Sequence, residues 1–174
     1  MEKSLIKLED MLGEEGLETM LRSFTCSKNK DVEYFLHNKA IDFERQNRGR
    51  TTLVVDLGTG YIIGYFTLLT ETFDFIDASG RKRQIIAGDK KATYFHCTLI
   101  GQFGRSDLYK GKVSGKEIMD DALYVCSIIK SYTATRIVCV EYSDEPALLS
   151  FYENNNFRIL QRNENGLNMG FVKI

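Results

Sequence analysis

Residues 99–130, LIGQFGRSDLYKGKVSGKEIMDDALYVCSIIK, hold three kinds of chain in a fixed order. An apolar run (Leu99, Ile100, Phe103) leads into a loop rich in glycine and lysine, and the loop into a helix. The helix is set by spacing: Ile118, Ala122, Val125 and Ile129 fall at i, i+4, i+7 and i+11 and share one face. Ser114 and Glu117 stand at the Ser-x-x-Glu spacing at which each side chain satisfies a free N–H of the first turn. A strand, a tight loop and a capped helix start turn unpaired amides and the positive end of the helix dipole toward an anion. Lys110, Lys112 and Lys116 add charge around that point, and a pyrophosphate suits it.

Two nucleotide motifs are excluded. Gly111-Lys112-Val113-Ser114-Gly115-Lys116-Glu117 lacks the P-loop spacing and the hydroxyl residue after the lysine. Gly58-Thr59-Gly60 followed by Gly64 has the wrong spacing for a dinucleotide fingerprint and opens a strand rather than a helix.

The flanking chain supplies the rest of an α/β domain. Residues 4–22 read as one or two short amphipathic helices on Leu5, Leu8, Leu12, Leu17, Met20 and Leu21, and residues 29–45 as another on Val32, Phe35, Leu36, Ala40 and Phe43. Residues 51–70 form a hairpin about Asp56-Leu57-Gly58-Thr59-Gly60. Residues 71–92 read as a strand extension turning at Ser79-Gly80 into an exposed loop that carries the solvated run Arg81-Lys82-Arg83. In the strand from Tyr94 to Gln102, Tyr94, His96, Thr98, Ile100 and Gln102 share a face expected to be buried as a polar site lining. Residues 135–140 make a short strand parallel to it, as a helix crossover requires. Ser143-Asp144-Glu145-Pro146 starts a last helix that stops at Asn154-Asn155-Asn156, with Asn156 suited to the left-handed conformation. A closing hairpin turns at residues 163–166.

At 174 residues with 43% hydrophobic content, residues 1–174 suffice for one domain with one core. The formal charge of −1 makes nucleic acid an improbable partner on bulk charge, and leaves only a small basic patch for a tRNA. Cys26, Cys97, Cys126 and Cys139 are widely spaced and only two histidines accompany them, so no metal site is expected, and the thiols suit a reducing cytoplasm. No stretch has the unbroken apolar core of a signal peptide or membrane span, so no membrane partner is expected.

In their order, three segments resemble the GNAT N-acetyltransferase superfamily. LIGQFGR (residues 99–105) is similar to the strand that splays from its neighbour and bonds the pantetheine arm. LYKGKVSG (residues 108–115) is similar to the pyrophosphate loop, and SFYENNNF (residues 150–157) to the segment usually read FYEKxGF. Phe24-Thr25-Cys26, Phe35-Leu36, Ala40 and the GYFTL run from Gly64 resemble the bacterial and phage-borne branch that includes toxins acetylating aminoacyl-tRNA. The chain departs from the pattern in four places, one of them Asn156 where glycine is usual. Lys110 takes a Gln/Arg place, and Val113 stands where a central glycine would keep a side chain off the phosphates. Asp144 and Glu145 occupy the region where an asparagine is usual.

The resemblance implies a central mixed, twisted β-sheet flanked by helices and splayed in the middle for acetyl-CoA. It implies acetyl transfer to a primary amine of unknown identity in the cytoplasm, and a homodimer is compatible with it. Phe103, Gly104, Arg105, Lys110, Gly111, Lys112, Val113, Ser114, Gly115 and Lys116 would bind the cofactor. Tyr152 would protonate the departing thiolate, with Glu141 or His96 as base. The alternatives are a chain that uses the fold to bind a partner without turnover and a toxin acting on aminoacyl-tRNA. The toxin reading would draw on Arg81, Lys82, Arg83, Lys90 and Lys91.

Overall fold

The capping box forms as its spacing predicts. In the computed structural model, which describes residues 2–174, the Ser114 N–H donates to Glu117 Oε2 at 2.8 Å and the Glu117 N–H donates to Ser114 Oγ at 3.2 Å. The helix that follows spans Gly115–Thr133 and buries Ile118, Met119, Ala122 and Cys126.

In chain order the elements are β1 (Lys3–Lys7), α1 (Leu17–Arg22), α2 (Lys30–Asn38), α3 (Ala40–Arg45), β2 (Arg50–Asp56), β3 (Ile62–Asp74) and α4 (Gly80–Ala87). After them come β4 (Tyr94–Arg105), α5 (Gly115–Thr133), β5 (Ile137–Tyr142), α6 (Pro146–Asn154), β6 (Arg158–Arg162) and β7 (Asn168–Lys173). The strands are hydrogen-bonded in the order β1-β2-β3-β4-β5-β7-β6, a mixed sheet accompanied by helices. The chain divides into two compact units: residues up to Leu69 with Gly101–Asp121, and Thr70–Ile100 with Ala122–Ile174.

In the first unit, Leu8, Leu21, Phe24, Leu36, Leu53, Ile62 and Tyr65 form the centre of the core. Tyr65 is fixed there by an edge-on contact with Phe24 at 5.1 Å and by donation of its hydroxyl to the Val32 carbonyl at 2.6 Å. Gly64, the glycine of GYFTL, permits a close backbone approach: a β-carbon there would fall on Ile118 and 2.7 Å from the Gly104 carbonyl oxygen. The Glu44 carboxylate is buried, accepting from the Thr51 N–H and from Arg50 Nη1 at 3.1 Å. Burial pushes its pKa up, and these two donors oppose the shift.

The second unit holds the parallel pair. Its β4–β5 ladder covers Thr98↔Val138 and Leu99↔Cys139, whereas β5 pairs with β7 along its whole length, from Ile137↔Lys173 to Tyr142↔Asn168. The strand predicted to come back parallel does so, and its partnership with β4 is short.

Three expectations fail. Residues 3–7 are a strand, not helix, because they pair antiparallel with β2 from Lys3↔Asp56 to Lys7↔Thr52; the Leu5, Leu8, Leu12 spacing bridges that strand and the 3-10 turn Leu8–Met11. The region expected to be an exposed loop contains α4, capped by Ser79 Oγ, which accepts from the Lys82 N–H, and closed by left-handed Gly88. There Lys82 donates to the Leu160 carbonyl at 3.2 Å and Arg83 to the carbonyls of Ala78 and Ala92, so two of the three basic side chains are structural ties. The stretch from 29 to 45 is two helices, broken at Lys39, rather than one.

Candidate active site

The loop before α5 belongs to the first unit and is built on Tyr109, the last residue of a 3-10 turn (Asp107–Tyr109). The Tyr109 carbonyl accepts the N–H groups of both Lys112 and Val113, each at 3.0 Å. Gly111, at φ 79°, makes the reversal that brings them there. Ser114 and Glu117 close the loop through the capping box, which holds the Glu117 carboxyl below its ordinary range. Among the described residues, the N–H groups of Gly111, Gly115 and Lys116 have no internal acceptor. They are the donors an anion would meet at the positive end of α5.

The charged side chains divide. Lys116 is held by Asp120 at 2.7 Å, whereas the Lys112 ammonium lies over the Tyr109 ring, 5.9 Å from its centroid. Arg105, from the end of β4, donates through Nη1 to the Val113 carbonyl at 3.1 Å, and its Nε is buried without a partner. Such an orphaned donor is costly unless something outside the chain accepts from it. Val113 is only 3% exposed, so its side chain is packed inside the protein; it is not among the residues with positive φ. The side chain expected to crowd a phosphate at the glycine position is instead packed inside the protein. Gly104 is buried and Phe103 half-buried on the strand that precedes the loop.

The tyrosine segment belongs to the second unit. Pro146 opens α6 and Asn156, at φ 65°, closes it. Phe157 N–H donates to the Tyr152 carbonyl at 3.0 Å and Asn156 N–H to the Glu153 carbonyl at 2.9 Å, the two bonds of a Schellman cap. The apolar contact that accompanies such caps is Tyr152 against Phe157, with centroids 5.6 Å apart. Tyr152 also stacks on Tyr142 at 4.4 Å and meets Phe151 edge-on at 5.2 Å. This aromatic box buries the ring and pushes its phenol up to about 12, with Tyr142 adding to the effect. Among the described residues no partner takes the Tyr152 hydroxyl. A groove of about 480 Å³ adjoins the box, lined by Tyr142, Leu149, Glu153 and Asn156–Ile159.

The two base candidates sit elsewhere in this unit. Glu141 leaves β5 on the face opposite Tyr142, and its Oε1 accepts from Asn163 at 2.6 Å and Asn165 at 3.0 Å. His96 is exposed, with Nδ1 2.8 Å from Thr72 Oγ1 and its ring edge-on to Tyr94. It lines a separate open groove of about 690 Å³ with Tyr94 and Arg136. Tyr94 and His96 are exposed whereas Thr98 and Ile100 are buried, so only the later part of that face of β4 is the buried lining its alternation suggested. The Tyr109 hydroxyl also donates to Asp56 Oδ2 at 2.9 Å, a tie that the sequence does not show although the turn signal around Asp56 is visible in it.

Known structures share this arrangement of elements. AtaT complexed with acetyl-methionyl-tRNAfMet superposes with a TM-score of 0.78 at 18% identity, covering 99% of this chain and 95% of that one. A tyrosine-to-phenylalanine mutant of KacT gives 0.77 at 15% identity, over 99% and 95%. AtaTR bound with acetyl-CoA gives 0.71 at 17% identity, over 98% and 92%. The chain has the GNAT fold. No protein-family model and no curated protein matches the sequence. The three segments that carried the resemblance lie at the end of β4, in the capped loop before α5 and in the aromatic box on α6.

Proposed function

We propose that this chain is an acetyl-CoA-dependent N-acetyltransferase that uses Tyr152 as general acid. The observation that carries the reading is the loop before α5. Its unengaged amides at Gly111, Gly115 and Lys116, with Lys110, Lys112 and Arg105 beside them, suit the pyrophosphate of acetyl-CoA. The likeness to AtaTR bound with acetyl-CoA supports it.

Acetyl transfer forms a bond from the acceptor nitrogen to the thioester carbon and breaks the carbon–sulfur bond. The departing sulfur takes a proton, and the nitrogen loses one. Tyr152 keeps its proton throughout the neutral range, because burial raises its phenol, and donates it toward the sulfur. The nitrogen's proton passes to solvent; Glu141 and His96 remain the candidates for a water-mediated base, each with one polar atom engaged.

For the acceptor, the likeness to AtaT complexed with acetyl-methionyl-tRNAfMet supports the amino group of an aminoacyl-tRNA ahead of a free small amine. The deciding experiment incubates the protein with labelled acetyl-CoA and, separately, charged tRNA, uncharged tRNA and a panel of small amines. Label on charged tRNA alone is the expected result. Label on small amines would keep the enzyme and change the acceptor, and binding of acetyl-CoA without transfer to any acceptor would favour a non-catalytic partner-binding role.

A further inference from the structure

We infer that Tyr109 is the positioning residue of the loop before α5, anchored by the Asp56 carboxylate in the turn between β2 and β3; the inference rests on the acetyl-CoA reading above. Three parts of Tyr109 each do something different to the loop. Its carbonyl withdraws two amides, those of Lys112 and Val113, so that the amides left for an anion are those of Gly111, Gly115 and Lys116. Its ring lies under the Lys112 ammonium, a cation–π contact that directs one positive charge without a carboxylate to neutralise it. Its hydroxyl donates to Asp56 Oδ2 at 2.9 Å and lies 3.1 Å from Thr59 Oγ1.

Asp56 is itself fixed. Its Oδ1 accepts the Gly58 N–H at 3.0 Å, its own N–H donates to the Tyr61 carbonyl, and its carbonyl accepts from Thr59 and Gly60. Both Asp56 and Tyr109 are buried, so the bond joining them is shielded from water and strong for its kind. The Tyr109 hydroxyl pulls the Asp56 carboxyl down, while burial raises the Tyr109 phenol, so donor and acceptor keep their roles through the neutral range. A surface loop of glycines and lysines is ordinarily mobile. Here the hinge of the β2–β3 turn holds it through one buried phenol, so the donors are arranged before any ligand arrives.

A strut needed only for folding would change stability and leave ligand affinity alone. The test is therefore a double-mutant cycle of Tyr109→Phe and Asp56→Ala, read as the dissociation constants of acetyl-CoA and of inorganic pyrophosphate by calorimetry, with thermal melts alongside. Each single variant is expected to bind both probes roughly three- to tenfold more weakly, the order of one partly transmitted charge-assisted hydrogen bond. The double variant should be no weaker than the worse single one. Asp56→Asn, which keeps an acceptor oxygen, should restore most of the affinity. Affinities of both single variants within about twofold of the parent, or effects that add in the double variant, would overturn the positioning role. A parent protein that binds pyrophosphate with this pattern but not acetyl-CoA would refute the acetyl-CoA reading and leave Tyr109 in place, whereas one that binds neither would overturn both.

Discussion

Replacing Val113 by glycine, the residue expected at its place in the loop, should harm the protein. The side chain is 3% exposed, and burying a valine fully is worth roughly 1.5–3 kcal/mol. Glycine adds about 0.5–1 kcal/mol of backbone entropy to be lost on folding, and no positive φ at this position repays it. The sum is a loss of about 2–4 kcal/mol, or some 5–15 °C in melting temperature for a chain of this size. The N–H of residue 113 already donates to the Tyr109 carbonyl, so glycine frees no donor for a phosphate, and acetyl-CoA affinity should stay level or fall. Differential scanning calorimetry and an acetyl-CoA titration on the same samples measure both effects. A Val113→Gly protein that melts with the parent and binds acetyl-CoA about tenfold tighter would show that the side chain obstructs the site, and would refute the reasoning.

Other consequences are as specific. The proposed acid role of Tyr152 predicts that Tyr152→Phe loses on the order of 10²-fold or more in turnover with acetyl-CoA affinity unchanged; undiminished turnover removes Tyr152 from the chemistry. The same phenol, pushed up to about 12 in the folded chain against about 10 when unfolded, holds its proton more tightly when folded. Its contribution is fully present below pH 10 and is lost as pH rises toward 12, so urea unfolding from pH 8 to 11 should show a decline that Tyr152→Phe lacks. Asn156→Gly should raise stability by roughly 0.5–1 kcal/mol and Asn156→Val lower it by about 1–2 kcal/mol, since only a β-carbon is strained at φ 65°. Glu44→Ala should cost about 1–3 kcal/mol in denaturant unfolding by leaving the Thr51 N–H without its acceptor.

Where the sequence spoke through short-range chemistry, the structure agrees. Ser114 and Glu117 form the predicted box, Asn156 takes the left-handed turn, and residues 158–173 make the closing hairpin, because each depends on neighbours a few positions away. Residues 3–7 are too few for periodicity to separate a strand from a helical turn, and β2 supplies the decision from some fifty positions on. Helix α4 has no apolar stripe in the sequence, because only Ile86 of its side chains is buried, although Ser79 and Gly88 mark both its ends. The motifs of the candidate site stand in the sequence and its ties do not. Nothing in the spelling of Tyr109 or Asp56 shows that they bond across 53 positions, or that Val113 turns inward.

The central claim is most directly tested by titrating acetyl-CoA into the purified protein in a calorimeter, with plain adenine nucleotides as control. The account predicts saturable binding of acetyl-CoA, at the affinity that thioester-dependent transfer requires, and weaker binding of the nucleotides. Heat no greater than that of dilution, from a protein that melts cooperatively, would contradict it.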